Sequence, residues 1–141
     1  MKVTPETPVP EGILEAALYV DDLAAAERFY GEILSLEKIQ HDAERHVFFR
    51  VGSSVLLLFN ADETEKSSGN TQFPVPPHGA RGPGHVCLIL TREQIDVMRK
   101  HLLDWNIPID SEFDWPNGAR SLYVRDPSGN SVEFAERHLW A

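Results

Sequence analysis

A chain of 141 residues is long enough for one domain with a real core and too short for two ordinary ones. Thirteen basic against twenty-two acidic side chains give a formal charge of −9, which repels nucleic acid and anionic membrane surfaces and favours neither as a partner. No apolar run reaches the ~20 residues of a membrane span, and the first residues lack the apolar core of a signal peptide, so a soluble cytoplasmic protein is expected. The lone cysteine, Cys87, excludes an internal disulfide framework. Inside an apolar run it reads as a small buried hydrophobe.

Residues 1–11 are rich in proline and have no periodicity, which predicts a flexible leader. Residues 13–20 are apolar on both faces apart from Glu15, the pattern of a buried strand with one intruding charge. Asp21 and Asp22 offer an N-cap. Leu23, Ala26, Tyr30, Ile33 and Leu34 then fall at helical spacing and predict an amphipathic helix to about residue 34. Residues 36–40, 46–51 and 55–59 follow as a three-strand meander.

From 61 to 82 periodicity is lost in favour of turn and polyproline chemistry. A connection of about twenty residues is long for a compact domain and reads as a linker, a lid or both. His78 and Arg81 in it could meet a ligand or simply be solvated. A second copy of the first pattern comes next. Residues 85–90 form an apolar strand, Thr91 to Gln94 have the form of a capping box, and Ile95, Met98 and Leu102 mark a helical stripe. Residues 107–113, 119–124 and 131–135 make a second three-strand set, its last pair joined by the tight turn Asp126-Pro127-Ser128-Gly129-Asn130. The fold class is therefore α+β, two βαβββ modules in one domain over 12–136, with module one at 12–60, linker 61–82, module two at 83–136 and a tail at 137–141.

Strand alternation puts Glu15 with Ala17 and Tyr19, His85 with Cys87 and Ile89, and Glu133 with Ser131 and Ala135, in each case on the face away from the helices. Superposing the modules sets Glu15 opposite His85 and Leu56 opposite Glu133. Two carboxylates on a mostly apolar surface repel unless something positive lies between them. A divalent ion supplies that charge, and one histidine with carboxylates suits Fe²⁺, Mn²⁺, Ni²⁺, Co²⁺ or Zn²⁺. Glu15, His85 and Glu133 are thus the candidate metal ligands.

The runs Leu14-Glu15-Ala16-Ala17-Leu18-Tyr19-Val20-Asp21-Asp22-Leu23, Gly84-His85-Val86 and Ser121 through Glu133 resemble the vicinal oxygen chelate superfamily of glyoxalase I, extradiol dioxygenases and fosfomycin and bleomycin resistance proteins. The resemblance implies paired βαβββ modules forming a cupped mixed sheet, helices outside, with a metal held from the first and last strands of each module. Carried over, those positions are Glu15, Leu56, His85 and Glu133. Glu15 stands where His or Gln is usual, and Leu56 has no ligating atom, which leaves three ligands. It further implies a metal-dependent lyase, isomerase or dioxygenase acting on a small substrate with vicinal oxygens. Glu133 or Glu15 would accept the proton, and Tyr19, Leu56, Trp115, Arg120 and Tyr123 would line the pocket. The alternative is a bleomycin-resistance-like protein that binds a drug or metabolite without metal or catalysis. The resemblance also implies a homodimer, the usual state of superfamily chains of this length.

Overall fold

The computed structural model describes residues 6–141, so the first five residues of the expected leader lie outside it; residues 6–14 contain neither helix nor strand. The first module runs β1 (Glu15–Tyr19), α1 (Leu23–Glu27), β2 (Glu37–Asp42), β3 (His46–Val51) and β4 (Ser54–Phe59). The second runs β5 (His85–Ile89), α3 (Arg92–Asp104), β6 (Ser111–Asp114), β7 (Arg120–Arg125) and β8 (Ser131–Ala135). Each module is one four-stranded mixed sheet, ordered β1-β4-β3-β2 and β5-β8-β7-β6. The first strand of each pairs parallel with the last, and the other pairings are antiparallel. The α+β fold of two βαβββ modules read from the sequence is the one observed.

Local chemistry explains the helix starts. Asp22 Oδ1 accepts from Ala25 N at 3.0 Å, and Thr91 and Gln94 close a reciprocal capping box, each satisfying backbone donors that a first turn leaves free. The first helix departs from expectation after Glu27. Residues Arg28–Ile33 widen into a π-helical turn that buries Phe29, Tyr30 and Ile33, with Leu34 N bonding Phe29 O at 2.9 Å. The linker is not wholly irregular, because Asn60 caps a single turn, α2 (Ala61–Thr64). The tail likewise contains a 3₁₀ turn at Arg137–Trp140.

One apolar core is shared by both modules, with Leu18, Tyr30 and Leu58 from the first in the same cluster as Leu88, Ile95 and Leu122 from the second. The Asp-Pro-Ser-Gly-Asn turn does more than join β7 to β8. Asp126 Oδ1 accepts from Ser128 N and Asn130 N, both at 2.9 Å, which shapes the turn. Gly129 supplies the φ of 86° that it requires. Asp126 Oδ2 then takes the Tyr30 hydroxyl at 2.7 Å. Asn130 donates to Tyr19 O at 2.9 Å and accepts from Gly84 N at 2.7 Å. Gly84 packs closely on this strand, since a Cβ there would stand 3.0 Å from Leu18 Cδ2 and that side chain would have to give way. Burial, then the Asp126 charge, pushes the Tyr30 phenol pKa up, so it remains a donor. This buried polar knot ties the second module's turn to the first module's helix and strand.

Candidate functional site

The strand registers define which positions of the two modules match. Glu15 pairs with Val55 and Ala17 with Leu57, while His85 pairs with Ser131 and Cys87 with Glu133. Glu15 therefore corresponds to His85, but the counterpart of Glu133 is Leu57 and not Leu56. Leu56, only 2% exposed, points into the helix-side core. A slip of one residue turns every side chain of a strand to its other face, which puts Leu56 on the opposite face of β4 from the position that matches Glu133. Leu57 is no better a ligand, so the module-one position still carries no donor atom.

His85 and Glu133 come together. His85 Nε2 lies 3.2 Å from Glu133 Oε1, with the histidine side chain half exposed at 50% and the carboxylate at 6%. His85 Nδ1 is 3.1 Å from Ser131 O. A carbonyl can only accept, so Nδ1 carries a hydrogen. The other carboxylate oxygen, Oε2, accepts from the Ser121 hydroxyl at 2.5 Å, and Ser121 Oγ accepts from Trp115 Nε1 at 2.7 Å. A carboxylate this deeply buried needs such donors to persist as an ion.

The neighbours of Glu133 are set by strand pairing. Tyr123 lies opposite it on β7 and Cys87 on β5. Desolvation, then the Glu133 charge, raises the Tyr123 pKa. The same causes push the Cys87 thiol up to about 12, so without a bound cation it stays protonated. Cys87 belongs to the exposed face of β5, which corrects its reading as a buried hydrophobe. Phe113 stacks on Tyr123 with centroids 5.9 Å apart and meets Trp115 at 4.8 Å, giving the site an aromatic wall.

The remaining predicted residues lie elsewhere. Arg120 alternates to the helix side of β7, where it bonds Glu112 at 2.9 Å and Asp114 at 3.1 Å. There Arg99, with Arg120, holds Glu112 below the usual carboxylate range against the opposing effect of desolvation. Arg120 is thus part of an outer ionic network and not of the site. Tyr19 belongs to a separate aromatic face on module one, its hydroxyl 2.6 Å from His78 Nδ1 and its ring 6.0 Å from Phe59. Arg81, the linker residue considered with His78, pairs with Asp62 and Glu65.

Glu15 stands in a cleft of about 850 Å³ where β1 and β5 meet, with Leu56, Val86, Ile89 and Gln94 on its walls but neither His85 nor Glu133. Among the described residues no group of three His, Cys, Asp or Glu is placed to hold a metal ion. A single chain thus assembles two of the three predicted ligands. Sequence reasoning missed Ser121 and Phe113; period-two alternation from Tyr123, with the strand pairing, is the signal that puts both beside the site.

Comparison with known proteins identifies the family and supports the fold. The family model for the Glyoxalase/Bleomycin resistance protein/Dioxygenase superfamily matches residues 12–134. A crystal structure of lactoylglutathione lyase from Agrobacterium tumefaciens is 41% identical, over 94% of this chain and 98% of that one, with a TM-score of 0.89. A glyoxalase/bleomycin resistance protein/dioxygenase from Nocardioides is 24% identical over 93% and 86% of the chains, with a TM-score of 0.70. An integron cassette protein from the mobile metagenome of the Halifax Harbour sewage outfall has the same TM-score of 0.70 at 24% identity, over 90% and 99%. At those identities the last two bear on the fold alone. No curated protein matches. The chain belongs to the glyoxalase/bleomycin resistance protein/dioxygenase superfamily, the vicinal oxygen chelate group.

Proposed function

We propose that the protein is a metal-dependent enzyme of lyase or isomerase type, acting as a homodimer on a small substrate with two neighbouring oxygens. The observation that carries this reading is the meeting of His85 Nε2 and Glu133 Oε1 at 3.2 Å. With its Nδ1 hydrogen directed at Ser131 O, His85 presents Nε2 to a carboxylate oxygen. A cation beside both groups would use the imidazole lone pair and offset the buried carboxylate's charge. Nitrogen with carboxylate oxygen suits Fe, Mn, Ni, Co or Zn in the divalent state. The bound ion would supply Lewis acidity and a counter-charge for an enolate or oxyanion. The relative named lactoylglutathione lyase supports the lyase reading.

The chain's own residues have separable tasks. His85 and Glu133 hold the ion, Tyr123 stays a protonated hydroxyl able to donate to a developing oxyanion, and Phe113 and Trp115 keep water from one side. Glu15 is the third ligand and the proton acceptor, contributed by a second copy. Ile13 and Ile89, 83% and 55% exposed, flank Glu15's cleft and give a second copy apolar surface to cover.

A test of this arrangement uses mixed dimers. Glu15→Ala and His85→Ala chains should each bind Ni²⁺ poorly alone. Refolded together in equal amounts, about half of the dimers are mixed and symmetry gives each of these a single intact site, so binding returns at about a quarter of the parental stoichiometry. No recovery, or a monomer by sedimentation at micromolar concentration, contradicts completion of the site by a second copy.

A second reading has its own support. A doubly protonated His85 satisfies Glu133 without any metal, and the aromatic wall with a charge of −9 suits a cationic drug or metabolite. Ligand binding that survives replacement of both His85 and Glu133 by Ala would select this binding-protein reading.

A further inference from the structure

We infer that Ser121 is a positioning residue for the candidate centre: its hydroxyl, oriented by the Trp115 indole, clamps one oxygen of Glu133 so that the other faces His85. This rests on the metal-centre reading and extends it beyond the ligands. The polarity of the chain is fixed at its far end, because an indole N–H can only donate. Ser121 Oγ therefore accepts from Trp115 Nε1 at 2.7 Å, and its own hydrogen is free to go to Glu133 Oε2 at 2.5 Å. A short bond to an ionised oxygen is of the strong, charge-assisted kind.

Location makes the clamp rigid. Ser121 is 0% exposed and sits on β7 two residues along from Glu133's partner Tyr123, on the same sheet face. Trp115 is fixed by the turn between β6 and β7, where its N bonds Ala119 O and its O accepts from Gly118 N, both at 2.8 Å. With Oε2 held, the flexible glutamate side chain has only Oε1 to offer, and that oxygen is the one 3.2 Å from His85 Nε2. Partners of this type commonly change metal affinity by about 10–100-fold.

The test has two arms. In metal-free protein, Glu133→Gln removes the charge that polarises the Ser121 hydroxyl, so the Trp115 indole N–H resonance should move while those of Trp105 and Trp140 stay. Trp115→Phe assigns the signal. With Ser121→Ala already present, the same Glu133→Gln change should leave Trp115 unmoved. In the second arm, Ser121→Ala should weaken Ni²⁺ binding about tenfold by calorimetry. A Trp115 resonance indifferent to Glu133→Gln, or equally responsive without Ser121, overturns the inference, as does equal Ni²⁺ affinity of parent and Ser121→Ala. If the parent binds no Ni²⁺, the metal-enzyme reading fails, and the resonance arm alone decides whether Ser121 clamps Glu133.

Discussion

Replacing His85 by Ala should weaken Ni²⁺ or Mn²⁺ binding by about 100-fold or more, the largest loss among the ligand variants, or roughly 3 kcal/mol. It removes the only nitrogen donor of the set and leaves Glu133 Oε1 facing a void. Glu133→Gln comes next, for a reason that the hydrogen bonds supply. Ser121 donates to the Oε2 position, so the amide oxygen settles there and its NH₂ turns toward His85 Nε2, where it satisfies the lone pair that the ion would use. Glu15→Gln should cost least, since the amide keeps an oxygen donor and Glu15 lies on an exposed strand end. Titration calorimetry with Ni²⁺ checks the order. Affinities equal to the parent in all three variants would mean that these positions hold no metal.

Asn130→Ala should destabilise the fold by about 3 kcal/mol, although the residue lies in a turn. The change strips partners from Tyr19 O and Gly84 N and takes the Nδ2 donor from Asp126 Oδ2 at 2.9 Å, all at a side chain 1% exposed. Asn130→Asp should fail as well. It keeps an acceptor for Gly84 but loses the donor to Tyr19 O and sets a second carboxylate against buried Asp126. Denaturant unfolding of the metal-free protein is the measurement; Asn130→Ala within about 0.5 kcal/mol of the parent would show that the knot does not bind the modules together.

What could be read from the sequence follows from the range of the interactions. Residues 46–51 and 131–135 form strands where alternation predicts them, because burying one face is a local pattern. The correspondence of Glu15 with His85 also emerges, since each opens the first strand of its module. Leu56 was misplaced because the triplet Val55-Leu56-Leu57 is apolar throughout and contains nothing to fix its register. Arg120 was avoidable, as an odd spacing from Tyr123 puts the two on opposite faces of β7. The knot and the clamp are less accessible. Asn130 reaches Tyr19 across 111 positions of sequence, and Ser121 meets Glu133 only because β7 pairs with β8 in one particular register. The π-helical turn at Arg28–Ile33 has the same apolar spacing as an ordinary helix and leaves no separate periodic mark.

Cys87 teaches a related point. An apolar run predicts burial for Cys87, yet His85, Cys87 and Ile89 are exposed while Leu88 is buried. An apolar face left open on one chain is what a covering ligand or second copy requires, and sequence pattern alone does not separate the two kinds of burial.

The central claim is that this chain carries a metal ion on His85 and Glu133, completed by Glu15. Elemental analysis of protein purified without chelator addresses it most directly. Stoichiometric divalent transition metal, lost on substitution of His85 by Ala, is the predicted result. Metal-free parent protein that also fails to bind added Ni²⁺, Mn²⁺, Zn²⁺ or Fe²⁺ would contradict it.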